Sequence, residues 1–283
     1  RINAAGRIKH GNHAVELLTE FNFEQAQQFA SEIEQYNSER KDLDKLITAQ
    51  ALRQILENAE EERFTTVVFD EGWHKGVIGI VASRLIETYY RPTLVFTKSG
   101  DKYAASARSV KGFDIYNALE ACAEHLEQFG GHMYAAGMTL QAEKYLDFKE
   151  AFEKVVRETI HPDMLVPEIT IDAAIDFKDI TPKLGRILKQ FEPFGPGNMT
   201  PVFTSKGVFD TGYAKRIGND DEHLKLFIKQ KDSESFSAIG FGLGKKIELA
   251  KNRHLFEAAY CIEENEWNGR VSTQLRLKDI RKD

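Results

Sequence analysis

A chain of 283 residues, 42% hydrophobic and 29% charged, is long enough for two domains with separate cores and has the balance of a globular protein. No apolar run approaches the ~20 residues of a membrane helix. The two cysteines, Cys122 and Cys261, lack a CxxC partner or a ligand-spaced histidine, which favours buried, reduced thiols in a cytoplasmic protein over zinc or a disulfide. The net charge of −6 does not exclude a polyanionic partner, because residues 23–62 carry ten acidic and four basic residues and the remainder balances.

The chain opens on RINAAGRIKH, without an initiator methionine or a hydrophobic leader, and is expected to be a fragment. Residues 23–62 contain neither Gly nor Pro and repeat apolar residues at helical spacing (Phe23, Ala26, Ala30, Ile33, Leu43, Ile47, Ile55), which predicts one long amphipathic helix, or two in line, with an acidic outer face. Residues 64–160 then alternate. FTTVVFD (64–70) reads as a buried strand, KGVIGIVASRLIETYY (75–90) as a helix ended by Arg91-Pro92, and PTLVFTK (92–98) and KYAASARS (102–109) as strands. Residues 113–129 carry helical spacing, MYAAGMTL (133–140) reads as a strand, and residues 145–160 as an amphipathic helix. The alternation predicts an α/β domain.

Six of the seven prolines lie between Pro162 and Pro201 and mark a change of domain. Beyond them the chain reads as short strands (168–177, 201–217, 222–230, 236–244, 254–281) with one helix at 181–194. Gly218-Asn219-Asp220-Asp221 and Asn268-Gly269 have hairpin-turn chemistry. Five or six short strands with one helix predict an all-β, OB-like barrel.

Three segments of small residues carry polar tips. In Gly130-Gly131-His132 the glycines let backbone amides approach an anion, and the histidine can donate to a phosphate oxygen. Taken alone, these residues are better accounted for by a tight helix-to-strand turn with a structural histidine. GWHKGVIG (72–79) follows a strand and opens a helix, where free amides and the helix dipole favour an anion, although Gly76 and Gly79 would also serve close helix–sheet packing. In AASARS (104–109), period-two alternation puts Ser106, Arg108 and Val110 on one face, and a hydroxyl beside a guanidinium fork fits a phosphate. RINAAGR (1–7) has a similar composition. Together the segments predict a phosphate site.

In this order, RINAAGR (1–7), GWHKGVIGIVASRL (72–85), SARS (106–109), GGHMYAAG (130–137), EPFGPGN followed by PVF (192–203), HLKL (223–226), AIGFG (238–242) and WNGR with QLRLKDIR (267–281) resemble the C-terminal part of the single-stranded-DNA-specific 5′→3′ exonucleases of the DHH phosphoesterase family. The resemblance implies a catalytic-domain remnant at 1–22, a connecting helix at 23–62, a DHH-associated α/β domain at 63–161 and an OB-fold single-strand-binding domain at 162–283. It implies that Ser106, Arg108, Gly130, Gly131 and His132 hold phosphates of the DNA end, His132 as an auxiliary catalytic group. An arginine of RINAAGR would join them, Arg7 as first choice and Arg1 as fallback.

The manganese or magnesium of that family is bound by acidic motifs that this sequence lacks. Asp42-Leu43-Asp44 and Asp220-Asp221-Glu222-His223 offer no converging ligand set, so no metal is expected in this chain, and the chain alone is expected not to hydrolyse DNA. The implied partners are single-stranded DNA, a single-strand-binding protein or a RecQ-type helicase, in DNA repair and recombination, with no membrane. On the barrel, Tyr213, Lys215, Arg216, Lys225 and Trp267 are the candidate strand contacts by stacking and charge, with Phe203, Phe209 and Phe227 behind them because aromatics equally serve a core. Two other readings remain open at this point: a non-catalytic single-strand-binding module, and a DHH-type phosphodiesterase acting on short oligonucleotides or cyclic dinucleotides.

Overall fold

The computed structural model describes the backbone of all 283 residues and every side chain except those of Trp267 and Arg270. The chain divides into two units, Arg1–Pro167 and Glu168–Asp283.

The first unit begins with two short helices, α1 (Ile2–Ile8) and α2 (Asn12–Thr19), followed by the long α3 (Phe23–Glu57). The Asn22 side chain caps α3 by accepting from the Gln25 N–H at 3.1 Å. The helix ends five residues before the acidic run does, and Ala59 follows in the left-handed region at φ 54°. At 1.5 Å per residue, its 35 residues span about 52 Å.

A five-stranded sheet follows, built from β1 (Thr66–Phe69), β2 (Thr93–Ser99), β3 (Lys102–Arg108), β4 (Gln128–His132) and β5 (Ala135–Gln141) in the order β1-β2-β3-β5-β4. Only β1 and β2 run parallel, joined by the crossover helix α4 (Ile78–Thr88). Alternating side chains give the sheet two cores. Leu94, Phe96, Ala105, Ala107, Met138 and Leu140 pack with α5 (Ile115–Glu120) and α6 (Tyr145–Thr159) on one face. Val68 and Val95 pack under α4 and α3 on the other.

Three expectations change here. The helix foreseen over 113–129 stops at Glu120, and residues 128–132 form the edge strand β4, so Gly130-Gly131-His132 is strand and not turn. β3 ends at Arg108. Val110 is buried in the cluster with Ala107 and Phe113, so it does not share the face of Ser106 and Arg108.

The second unit holds β6 (Ala173–Ala174), α7 (Pro182–Lys189), β7 (Phe203–Asp210), β8 (Lys215–Ile217), β9 (His223–Lys229), β10 (Phe236–Gly240), α8 (Ile247–Ala250), β11 (Phe256–Trp267) and β12 (Arg270–Lys282). Its sheet runs β6-β7-β11-β12-β10-β9-β8, and β7 also pairs with β9 through Phe209↔Lys229 and Asp210↔Ile228. The five long strands thus curl back on themselves in the order β7-β9-β10-β12-β11, with β10 and β12 parallel, as in an OB-fold. Inward residues including Leu224, Leu226, Ile228, Ala238, Phe256, Tyr260 and Leu275 fill the interior. Asn268 and Gly269, at φ 50° and 73°, turn β11 into β12 as their chemistry predicts. The strand foreseen over 168–177 shrinks to Ala173–Ala174.

Candidate phosphate and single-strand binding site

In the first unit, strand register decides which polar tips meet. Arg108 pairs with Ala135 and Ala135 with His132; one rung along, Ser106 pairs with Gly137 and Gly137 with Gly130. Directly paired residues point to the same face, and each strand step is about 5 Å. Arg108, Ser106 and His132 therefore share one face, with Arg108 and His132 about 10 Å apart, and on that face β5 places only Ala135 and Gly137 between them.

Arg108 is held by its own strand. Its Nη1 donates to Ser106 Oγ at 3.2 Å and to the Ala107 carbonyl at 2.7 Å, which holds the guanidinium against the strand. Among the described residues its Nε and Nη2 have no protein acceptor, and no carboxylate pairs with it. Because Ser106 Oγ accepts from the arginine, its own proton is free for a phosphate oxygen. Burial, and then the charge of Arg7, lower the Arg108 pKa from its ordinary value. Two guanidiniums held near each other without a carboxylate favour an anion between them.

Arg7 is brought to this cluster by glycine: a Cβ on Gly76 would overlap the Arg7 carbonyl, so the end of α1 can lie against the turn before α4 only if position 76 has no side chain. Arg1 lies elsewhere. It is exposed and paired with Glu34 at 3.2 Å, so the fallback candidate is not part of the cluster. Gly79 has a different task. A Cβ there would stand 2.9 Å from both Arg108 Nη2 and Ser106 Oγ. Gly79→Ala should favour helix α4 intrinsically, by about 1 kcal/mol. It should also displace the guanidinium, so nucleotide affinity should fall while thermal stability holds; titration and a melting curve on the same variant check both.

The other glycines separate into two kinds. Gly131, at φ 153°, leaves no room for a side chain, since a Cβ would overlap the Ala135 carbonyl and stand 2.6 Å from Ala136 Cα. Gly130 would meet nothing within 4 Å, and Gly137 only the Ala105 carbonyl at 3.8 Å. Packing does not require glycine at 130 or 137. Their bareness keeps open a trough of ≈ 670 Å³ that Lys75, Gln128 and Thr139 also line. His132 is exposed, and its Nδ1 accepts from the Tyr134 N–H at 3.2 Å. In the neutral ring the proton therefore sits on Nε2, which is free to donate outward.

In the second unit, β9 alternates buried Leu224, Leu226 and Ile228 with outward Lys225 and Phe227. The register lines Lys215, Lys225, Ile239 and Arg276 in one outer row and Phe227, Ser237 and Gln274 in the next. Tyr213, 69% exposed, meets Phe227, 40% exposed, edge to face at 5.8 Å, and Lys225 Nζ lies 5.9 Å from the Phe227 ring. Ser237 Oγ accepts from Lys225 Nζ at 2.7 Å and from Gln274 Nε2 at 3.1 Å. Burial, then the charge of Lys215, lower the Lys225 pKa. Paired aromatics beside lysines that no carboxylate among the described residues pairs with make a surface on which a base can stack and a phosphate be met.

Tyr213, Lys215, Lys225 and Phe227 are thus brought together. Arg216 is not: it sits on the opposite side of β8, opposite Leu224, and its Nε donates to the Gly244 carbonyl at 3.0 Å. Phe203 is core and Phe209 half-buried. The side chain of Trp267 lies outside the described residues. Sequence reading assigned Gly79 only to helix–sheet packing, and missed Gly137, Ser237, Gln274 and the buried Asp210 beneath Tyr213. Of these, only Asp210 left a local signal, as the Asp-Thr-Gly start of a turn. Among the described residues no three His, Cys, Asp or Glu side chains are grouped so that they could hold a metal ion.

The DHHA1 domain family matches residues 61–158, and the RecJ OB domain family matches residues 171–279. The chain is similar to the single-stranded-DNA-specific exonuclease RecJ of Bacillus subtilis (strain 168), 33% identical over 282 residues that make up 99% of this chain and 35% of that protein. It is similar also to RecJ of Escherichia coli (strain K12), 29% identical over 99% of this chain and 49% of that one. Among solved structures, RecJ from Thermus thermophilus in complex with Mn2+ superposes with a TM-score of 0.80 at 28% identity, over all of this chain and 40% of that one. The chain therefore spans between 35% and 50% of the length of the curated relatives it matches.

Proposed function

We propose that this chain, in which a match to the DHHA1 domain family is followed by a match to the RecJ OB domain family, binds the end and the body of one DNA strand for a 5′→3′ exonuclease. The observation that carries this reading is the rung that aligns Arg108 and His132 on one face, with Ser106 beside them. In it, Arg108 Nε and Nη2, the Ser106 hydroxyl, His132 Nε2 and Arg7 hold phosphates of the strand end and neutralise their charge. The trough over Gly130 and Gly137 leaves room for the rest of the nucleotide. The Tyr213–Phe227 pair stacks a base further along, and Lys215 and Lys225 meet phosphates.

Metal-dependent hydrolysis belongs, in this reading, to residues that the relatives have and this chain does not span, and the chain by itself binds without cutting. The protein would work in the cytoplasm, in repair and recombination, with a single-strand-binding protein or a RecQ-type helicase as partner. The long strand-binding unit beyond residue 168 favours this reading over a dinucleotide phosphodiesterase, which has little use for an extended track.

Fluorescence anisotropy with labelled oligothymidylate tests it. Binding by the 283-residue chain should be weak, should fall steeply with added salt, and should exceed binding to a duplex of equal length. Equal affinity for duplex and single strand would remove the stacking component.

A further inference from the structure

Beneath the exposed Tyr213 lies Asp210, at the end of β7 and 1% exposed. Its Oδ2 accepts from three successive backbone amides, Gly212 at 2.7 Å, Tyr213 at 2.7 Å and Ala214 at 2.9 Å. Its Oδ1 accepts from the Phe227 N–H at 2.9 Å. One buried carboxylate therefore grips the loop that carries Tyr213 and the strand residue that carries Phe227. No cation among the described residues pairs with it, so four backbone donors compensate its desolvation. A carboxylate is needed here because all four contacts are N–H donors: an asparagine amide would turn its NH2 towards at least one of them.

We propose that Asp210 is a positioning residue for strand binding, fixing Tyr213 edge to face against Phe227 as a preformed stacking surface for an unpaired base. The inference rests on the strand-binding reading above. Fixing the loop before binding removes the ordering cost from association, so the gain appears as affinity for bases and not for phosphates. The Asp210 contacts are to backbone amides of residues 212–214 and 227 and involve neither the Lys215 nor the Lys225 side chain nor any candidate phosphate group of the first unit, so their effect should fall on stacking.

The test compares the 283-residue chain with Asp210→Asn, Tyr213→Ala and the double variant, using oligothymidylate and an abasic strand of the same length. Stacking of one base sets the expected loss at about tenfold. Asp210→Asn should weaken oligothymidylate binding by about that factor and leave abasic binding and its salt dependence unchanged. The double variant should bind no more weakly than Tyr213→Ala alone, because both changes remove the same contact. A loss in Tyr213→Ala without one in Asp210→Asn overturns the positioning role and leaves the strand-binding surface standing. No loss in either overturns both, and an equal loss on the abasic strand shows a general structural defect and also overturns the role. Hydrogen exchange on the unmodified chain covers the case in which Asp210→Asn does not fold. The amides of residues 212–214 should exchange slowly despite the exposed loop, and exchange at the rate of a free loop rejects the grip.

Discussion

Arg108→Ala, placed in a RecJ protein that also carries the metal-binding domain, should lower kcat/KM by about 10²–10³-fold, roughly 3–4 kcal/mol of transition-state stabilisation. Arg108 is a half-buried side chain whose protein contacts are Ser106 Oγ and the carbonyl of the preceding residue, and it contributes nothing to either core cluster of its sheet. Its removal should therefore leave the melting curve within about 1 kcal/mol of the parent. The guanidinium offers Nε and Nη2 together to one anion, so Arg108→Lys, which keeps the charge and loses the fork, should fall between. Single-turnover digestion of a 5′-phosphorylated strand measures the effect, and near-normal turnover by the alanine variant would take Arg108 out of the site.

Glu153→Ala should cost about 3–5 kcal/mol of stability in the first unit, the range for breaking a buried charge network. The carboxylate, 4% exposed on α6, accepts from the Phe64 and Thr65 amides at 3.0 Å each, from Thr65 Oγ1 at 2.6 Å and from Arg157 at 2.9 Å. It thereby ties α6 to the chain entering β1. Burial alone would push its pKa up. The hydrogen bonds from Thr65, Arg157 and Phe64, with the charge of Arg63, outweigh burial and hold it below the ordinary glutamate value. A pKa depressed in the folded state means that the stabilisation is complete above the unfolded value and is lost as pH falls through the folded one. Urea titrations should accordingly show a large deficit for the variant at neutral pH and a smaller one in acid below the ordinary carboxylate range. A deficit independent of pH would assign Glu153 a packing role only.

The α/β alternation was legible because α4, α6 and strands β1 to β3 carry their periodicity locally. β4 was not. Leu126 and Phe129 continue the helical spacing of α5, and a glycine-rich strand has no propensity of its own, so only pairing with β5 makes residues 128–132 extended. EITIDAAIDF failed in the opposite direction: it alternates like a strand, yet only Ala173 and Ala174 pair as strand, with β7, flanked by single backbone bonds from Asp172 to Val202 and from Ile175 to Thr204.

At the site, the residue types were legible and the geometry was partly so. Period two correctly joined Ser106 to Arg108, but Val110 lies past the end of β3, where the alternation no longer applies. Arg1 and Arg7 have the same chemistry in the sequence; the packing of the Arg7 backbone on Gly76, 69 residues away, separates them. Lys215 and Arg216 are neighbours on β8 and so face opposite sides, which a count of basic residues cannot reveal.

Strand-end binding requires above all that Arg108 and His132 serve one phosphate-bearing end. NMR of the chain, following the Arg108 side-chain N–H and the His132 imidazole during titration with a 5′-phosphorylated oligothymidylate, addresses that directly. Both signals should shift together along one binding curve, and the shifts should weaken when the 5′-phosphate is removed. Independent curves for the two groups, or unmoved signals while Tyr213 and Phe227 respond to the strand, would contradict it.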